Sequence, residues 1–130
     1  IVVNRSPSRG QGLSRWLGCP FIPLAEFVGT GIDILVNTTP AGMAPQAETL
    51  PVDPDILHPE MIVMDVVYNP MKTRLLEEAE KRGCKTVDGI AMFVYQGARQ
   101  FTLWTGMSAP VEVMREAVVE ALTAEKRNSK

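Results

Sequence analysis

The chain has 130 residues, 45% of them hydrophobic and 22% charged, with a formal net charge of -2. This is the composition of one globular domain, or part of one, with enough apolar material to bury a core. The charge balance offers no basic field for nucleic acid, and no apolar run approaches the ~20 residues that span a membrane.

Ile1-Val2-Val3 reads as a short buried strand, and Asn4-Arg5-Ser6-Pro7-Ser8-Arg9 follows at once. Two guanidiniums with Ser hydroxyls and turn amides make a candidate phosphate cradle, because Arg forms charge-assisted, bidentate bonds to phosphate oxygens. Basic turns are also common as solvated surface, and the residues alone leave both readings open. Residues 11–17 are expected as a short amphipathic helix ended near Gly18, residues 19–22 as a short strand and residues 24–28 as a single turn. Asp33-Ile34-Leu35-Val36 is a continuous apolar strand of the kind buried in a parallel sheet. It runs into Asn37-Thr38-Thr39-Pro40-Ala41-Gly42-Met43, which gathers hydroxyls, an amide and a Pro-fixed turn at the strand's C-terminal end. Ligands of open α/β sheets bind at that edge. A turn that merely satisfies its own backbone would have the same composition.

Residues 44–59 are Pro-rich and expected as a loop with a brief turn at 54–57; His58 within it reads as a surface residue and not a base. Met61-Ile62-Val63-Met64-Asp65-Val66-Val67 is the next buried strand, ending in Tyr68-Asn69-Pro70. A Tyr at a strand terminus carries a phenolic group that can reach a substrate. Thr73 is placed to cap a helix with Leu75, Leu76 and Ala79 on its apolar face and Gly83 at its end. Its Glu77–Lys81 and Glu78–Arg82 pairs read as a solvated face, each worth a few tenths of a kcal/mol. After a short strand at Lys85-Thr86-Val87, Gly89 opens a helix that closes at Gly106. Ile90, Val94, Ala98 and Phe101 form its core stripe, while Gly89, Met92 and Gln96 share another face. That second face can line a ligand pocket, with Gly89 letting a ligand approach the backbone, or serve as ordinary packing and surface. Pro110 begins a last helix with Val111, Met114, Val118 and Leu122 in one stripe. Cys19 and Cys84 lack metal or redox spacing, so both are expected as reduced thiols of a cytoplasmic protein without a metal site.

Three motifs occur in order: Asn37 to Met43, Asp65 to Pro70, and Asp88-Gly89 through Trp104-Thr105-Gly106. Together they resemble the C-terminal, nucleotide-binding part of shikimate dehydrogenase, over a stretch from Ile1 to about Leu122. The resemblance implies a three-layer, Rossmann-like α/β fold with a mainly parallel sheet, and NADP as cofactor. In a dinucleotide-binding fold the end of the second strand meets the adenosine ribose, where Arg suits the 2′-phosphate of NADP. Asn4-Arg5-Ser6 with Arg9 matches the family's Asn-Arg-Thr-x-x-Arg stretch, Ser6 keeping the hydroxyl of the Thr. The resemblance further implies that Thr38 shapes the cofactor site and that Val66, Gly89 and Met92 lie beside the nicotinamide. Tyr68 and Gln96 would contact the substrate, shikimate or 3-dehydroshikimate.

The family's Gly-rich pyrophosphate turn and its catalytic Lys and Asp have no counterpart in this sequence. Residues 1–124 are therefore expected to be an incomplete NADP-binding domain that includes the C-terminal helices, followed by a charged, frayed tail at 125–130. The first strand and an N-terminal substrate domain of the same chain would be missing, no catalytic residue would lie in the fragment, and the fragment alone would be inactive. Without that first strand, the strands at Ile1 and at Asp33 would face a gap, and the fragment would either recruit another copy through open edges or be only marginally folded. Two alternatives stand beside this reading: a quinate/shikimate dehydrogenase, and a non-catalytic nucleotide-binding module. Tyr68 and Gln96 favour an enzyme, because a module that only bound nucleotide has no need of substrate contacts.

Overall fold

The computed structural model describes residues 1–128 as two compact units, Ile1–Gly31 and the chain from Ile32 onward. The first unit comprises β1 (Val2–Asn4), α1 (Pro7–Leu17) and β2 (Phe21–Pro23), followed by a 3₁₀ turn at Leu24–Glu26. β1 and β2 run parallel with Val2 opposite Phe21, and α1 is the crossover between them. α1 begins at Pro7, not at the expected Gln11. The reason is local: Pro has its φ preset for the first helical position, where its missing N–H costs nothing. A Cβ on buried Gly10 would lie 2.2 Å from the Phe21 ring and 2.9 Å from Asn4 Cβ, so the helix lies hard against both strands. Gly18 ends α1 at φ 65°, a left-handed conformation that only Gly adopts without strain.

The second unit carries a parallel sheet in the order β3 (Ile34–Asn37), β4 (Ile62–Asp65), β5 (Lys85–Val87). α2 (Arg74–Lys81) connects β4 to β5 and packs on both. Met61, Val63, Leu75, Leu76 and Ala79 form the core between them with Leu57 and Cys84. Complete burial of a side chain such as Met61, Val63 or Leu75 contributes ~1.5–3 kcal/mol. The Pro-rich stretch has one 3₁₀ turn, Pro54–Ile56, yet it delivers Leu50, Val52, Ile56 and Leu57 to that core.

β3 departs from the buried strand expected. Ile34 is 61% exposed and Val36 46%, while Asn37 is buried and Leu35 half-buried. Among the described residues β3 pairs only with β4, so it is an edge strand with one face uncovered. β1 likewise pairs only with β2.

The charges of α2 also differ from the solvated face expected. Glu78 pairs with Arg82 at 2.6 Å, and it takes Lys81 at 2.8 Å and Arg74 at 3.1 Å as well. Glu77 turns to Arg74 at 3.5 Å instead of Lys81. Glu78 is buried to 9% exposure. Hydrogen bonds from Lys81 and then Arg82 hold its carboxyl down at about 2, against the upward push of desolvation. The Cys84 thiol is pushed up by burial, and its Sγ–H donates to the carbonyl of half-buried His58 at 3.1 Å. Cys84 and Cys19 are both free thiols.

α3 (Gly89–Thr105) and α4 (Val111–Asn128) pack along each other. Ile90, Val94 and Ala98 are buried and Phe101 half-buried, the stripe that the spacing predicts. Val111, Met114, Val118 and Leu122 of α4 are all half-buried. α4 continues through the first residues of the expected tail to Asn128, and residues 129–130 of that tail lie outside the described residues. Among the described residues, no helix is long and apolar enough to cross a membrane. Nor does any group of three or more His, Cys, Asp and Glu among them suit a metal ion.

Candidate functional site

In the first unit, Asn4, Arg5, Ser6 and Arg9 gather where β1 passes into α1. Asn4 Oδ1 accepts the Ser6 amide at 2.7 Å, a side-chain turn that carries the backbone from strand to helix. Ser6 occupies the N-cap position without capping through its hydroxyl, and the Gly10 amide donates to the Ser6 carbonyl at 3.0 Å. Pro7 has no N–H, which leaves the amides of Ser8 and Arg9 as the unpaired donors of the first turn. Arg5 and Arg9 are exposed, and neither pairs with a carboxylate among the described residues. Free amides, a spare hydroxyl and two guanidiniums at the positive end of a helix are the donor set an oxyanion needs.

In the second unit, a cleft of about 580 Å³ opens at the C-terminal ends of β3 and β4, with Thr38, Thr39, Val66, Tyr68 and Leu122 in its lining. The strand ends that border it are held by a buried polar network centred on Asp65, which has no exposed surface. The Asp65 carboxylate accepts from Asn37 Nδ2 at 2.9 Å, from the Val67 amide at 3.1 Å and from Thr73 Oγ1 at 2.7 Å. Thr73 Oγ1 in turn caps α2 by accepting the Leu76 amide at 3.4 Å. Asn37 donates also to the Ala41 carbonyl at 3.2 Å, and its Oδ1 accepts from the Thr39 amide at 3.0 Å and hydroxyl at 2.7 Å. One carboxylate thus ties the ends of β3 and β4 to the start of α2 and shapes the loop that presents Thr38.

α3 starts behind this cleft, its first turn capped by Asp88 Oδ1, which accepts the Ala91 amide at 2.8 Å. A Cβ on Gly89 would lie 2.5 Å from the Val67 carbonyl oxygen and 2.6 Å from that of Val66. Gly is needed there for the chain's own packing, since the side on which a ligand was expected to approach is filled by the end of β4. One turn later, the Phe93 ring lies 4.9 Å from that of Tyr68, centroid to centroid. Thr38, Val66 and Tyr68 therefore share one cleft with Gly89 packed behind it, whereas Met92 and Gln96 are exposed on α3 and do not line it.

Sequence reasoning missed the hub role of Asp65, the contribution of Leu122 and the pairing of Phe93 with Tyr68. A signal existed for Asp65: a lone carboxylate inside the apolar run from Ile62 to Val67 must find partners if the strand is buried. No local signal announced Phe93, whose partner lies far away in sequence.

Parallel strands, with helical crossovers between β1 and β2 and between β4 and β5 and a cleft at the C-terminal ends of β3 and β4, define a Rossmann-like α/β domain. Residues 89–119 match the family model of the shikimate 5′-dehydrogenase C-terminal domain. The shikimate dehydrogenase (NADP(+)) of Methanopyrus kandleri is 59% identical over 133 residues, which cover 94% of this chain and 46% of that protein. The crystal structure of Thermus thermophilus shikimate 5-dehydrogenase in complex with NADP(H) and shikimate matches with a TM-score of 0.82 at 34% identity, over 92% of this chain and 44% of that one. The quinate dehydrogenase of Corynebacterium glutamicum in complex with NAD matches with a TM-score of 0.81 at 31% identity, over 91% of this chain and 45% of that one. This chain belongs to the shikimate dehydrogenase family and corresponds to its C-terminal part. It spans about half the length of the curated relatives it matches.

Proposed function

We propose that this chain is the NADP-binding part of a cytoplasmic shikimate dehydrogenase, which reversibly reduces 3-dehydroshikimate to shikimate with NADPH. The observation that carries this reading is the convergence of Thr38, Val66 and Tyr68 in one cleft at the C-terminal ends of parallel strands. The turn that includes Arg5, Ser6 and Arg9 fits a doubly negative group, because its guanidiniums have no carboxylate partner among the described residues. Arg5 and Arg9 hold the 2′-phosphate and select NADP over NAD, with Asn4 bracing the turn and the Ser6 hydroxyl adding a donor. Thr38 shapes the cofactor side of the cleft and the Val66 backbone lies along the nicotinamide; Gly89 serves there by letting α3 close on Val66, and Met92 meets the nicotinamide from the exposed face of α3, outside the cleft. The Tyr68 hydroxyl binds the substrate at the cleft, and the Gln96 amide reaches it from the exposed face of α3. When bound, NADP supplies the hydride chemistry. The proton-transfer groups and most substrate contacts belong to a preceding substrate domain of the same, longer chain, and the present chain alone is inactive.

The test is turnover by the full-length protein of shikimate with NADP+, measured beside quinate and NAD+. Preference for shikimate and NADP+ is the expected result. Arg5→Asp should weaken NADP binding by about 1.5–3 kcal/mol, the worth of a charge-assisted bond, which is roughly 10- to 150-fold. NAD binding should barely change. Equal losses for both cofactors would show that Arg5 does not read the 2′-phosphate. A second reading, a quinate/shikimate dehydrogenase, draws on the likeness to a quinate dehydrogenase and would be favoured by comparable turnover of quinate. A full-length protein that bound nucleotide without turning over either acid would be the binding module instead.

The same reading has a consequence for association. β1 and β3 each have an unpaired edge among the described residues, and Ile34 and Val36 add exposed apolar surface to the second. The isolated chain is expected either to self-associate through such edges or to be only marginally folded. A stable monomer in size-exclusion chromatography with light scattering that also unfolds cooperatively would refute this.

A further inference from the structure

We infer that Phe93 is a positioning residue that sets the orientation of the Tyr68 ring in the cleft, an inference that rests on the reading of Tyr68 as a substrate contact. Tyr68 follows β4 at the cleft and is 39% exposed, so the protein covers its ring only in part. Phe93 supplies the aromatic contact, with ring centroids 4.9 Å apart and planes inclined at 38°. At this separation the two rings attract through their surfaces and quadrupoles, which favours a limited set of relative orientations over free rotation.

Backbone geometry forces the two rings together. Gly89 has no Cβ, and its Cα side abuts the carbonyls of Val66 and Val67, which brings the first turn of α3 against the end of β4. Phe93 lies one turn beyond Gly89 on the same face of the helix. It therefore arrives over the residue that follows Val67, which is Tyr68. Core packing does not account for an aromatic at position 93: Phe93 is itself 39% exposed and lies off the buried stripe of Ile90, Val94 and Ala98. A ring already held on one face loses less freedom when substrate binds, so the hydroxyl is presented at a smaller entropic cost.

In the full-length enzyme, Phe93→Leu keeps an apolar side chain of similar size and removes the ring. The KM for shikimate should rise roughly 2- to 10-fold, the range set by the strength of an aromatic pair, with the Kd for NADP unchanged. The Tyr68 ring resonances should move as the ring current of Phe93 disappears, and Phe93→Tyr should restore the KM. Placed in a Tyr68→Phe background, Phe93→Leu should raise the KM no further, because Phe93 acts through the Tyr68 hydroxyl. A normal KM in Phe93→Leu, or an increase that multiplies in full with that of Tyr68→Phe, would overturn the inference. A normal KM in Tyr68→Phe alone would bring down the reading of Tyr68 as a substrate contact, and the role of Phe93 with it.

Discussion

Asp65→Ala is expected to destabilise the protein by about 3–5 kcal/mol, at the upper end for single substitutions. The carboxylate is fully buried and accepts from Asn37, Val67 and Thr73 at once. Hydrogen bonds to a charged acceptor contribute about 1.5–3 kcal/mol each, and every donor left buried without a partner costs about 1–3 kcal/mol. The sum exceeds the expectation because Asn37 keeps its bond to the Ala41 carbonyl and a water can enter the space left behind. Asp65→Asn is a far milder change. Its amide oxygen can still accept from Asn37 and Val67, and its NH₂ can donate to Thr73 Oγ1, whose hydroxyl then turns away. Urea midpoints should fall in the order wild type, Asp65→Asn, Asp65→Ala. Unchanged midpoints in both variants would remove Asp65 from its place as the hub of the cleft. Because Asn37 shapes the loop carrying Thr38, Asp65→Ala should also weaken ligand binding at the cleft beyond its effect on stability.

Gly89→Ala should lower stability by about 1–3 kcal/mol, while Gly97→Ala in the same helix should raise it. Replacing Gly by Ala in a helix gains up to about 1 kcal/mol from backbone entropy alone. At Gly97 nothing lies within 4 Å of the added Cβ, so that gain is realised. At Gly89 the Cβ would stand 2.5 Å and 2.6 Å from two backbone oxygens of the β4 end. Backbone cannot swing aside as a side-chain tip can, so α3 and β4 must separate, and such overpacking costs about 1–3 kcal/mol or more. The steric term outweighs the entropic one only at Gly89. Thermal unfolding decides the matter, and shifts of the same sign for both variants would remove the close-approach argument. Gly89→Ala should also disturb the pairing of Phe93 with Tyr68, since that contact depends on the same close approach.

The order of strands and helices was determined by the sequence itself. Apolar runs of strand length mark β3 and β4, and the buried stripe of α3 follows from helical periodicity at Ile90, Val94 and Ala98. Thr73 announces the helix start that it caps. These signals are legible because each is written within one or two turns of chain. Pro7 was such a signal too, and a start of α1 at Gln11 overlooked it. The residue types of the site could also be read: Arg5 and Arg9 in a basic turn, and Thr38 and Tyr68 just past strand ends. Their grouping could not. Only the tertiary structure decided that Thr38, Val66 and Tyr68 meet in one cleft while Met92 and Gln96 do not line it. It also left Ile34 and Val36 exposed, buried Glu78 among three cations, and made Gly89 a packing necessity. Each of these outcomes depends on which surface a neighbouring element covers. Periodicity shows that a helix or strand has an apolar face, but only the contacts between segments distant in sequence determine which side chains the rest of the chain reaches.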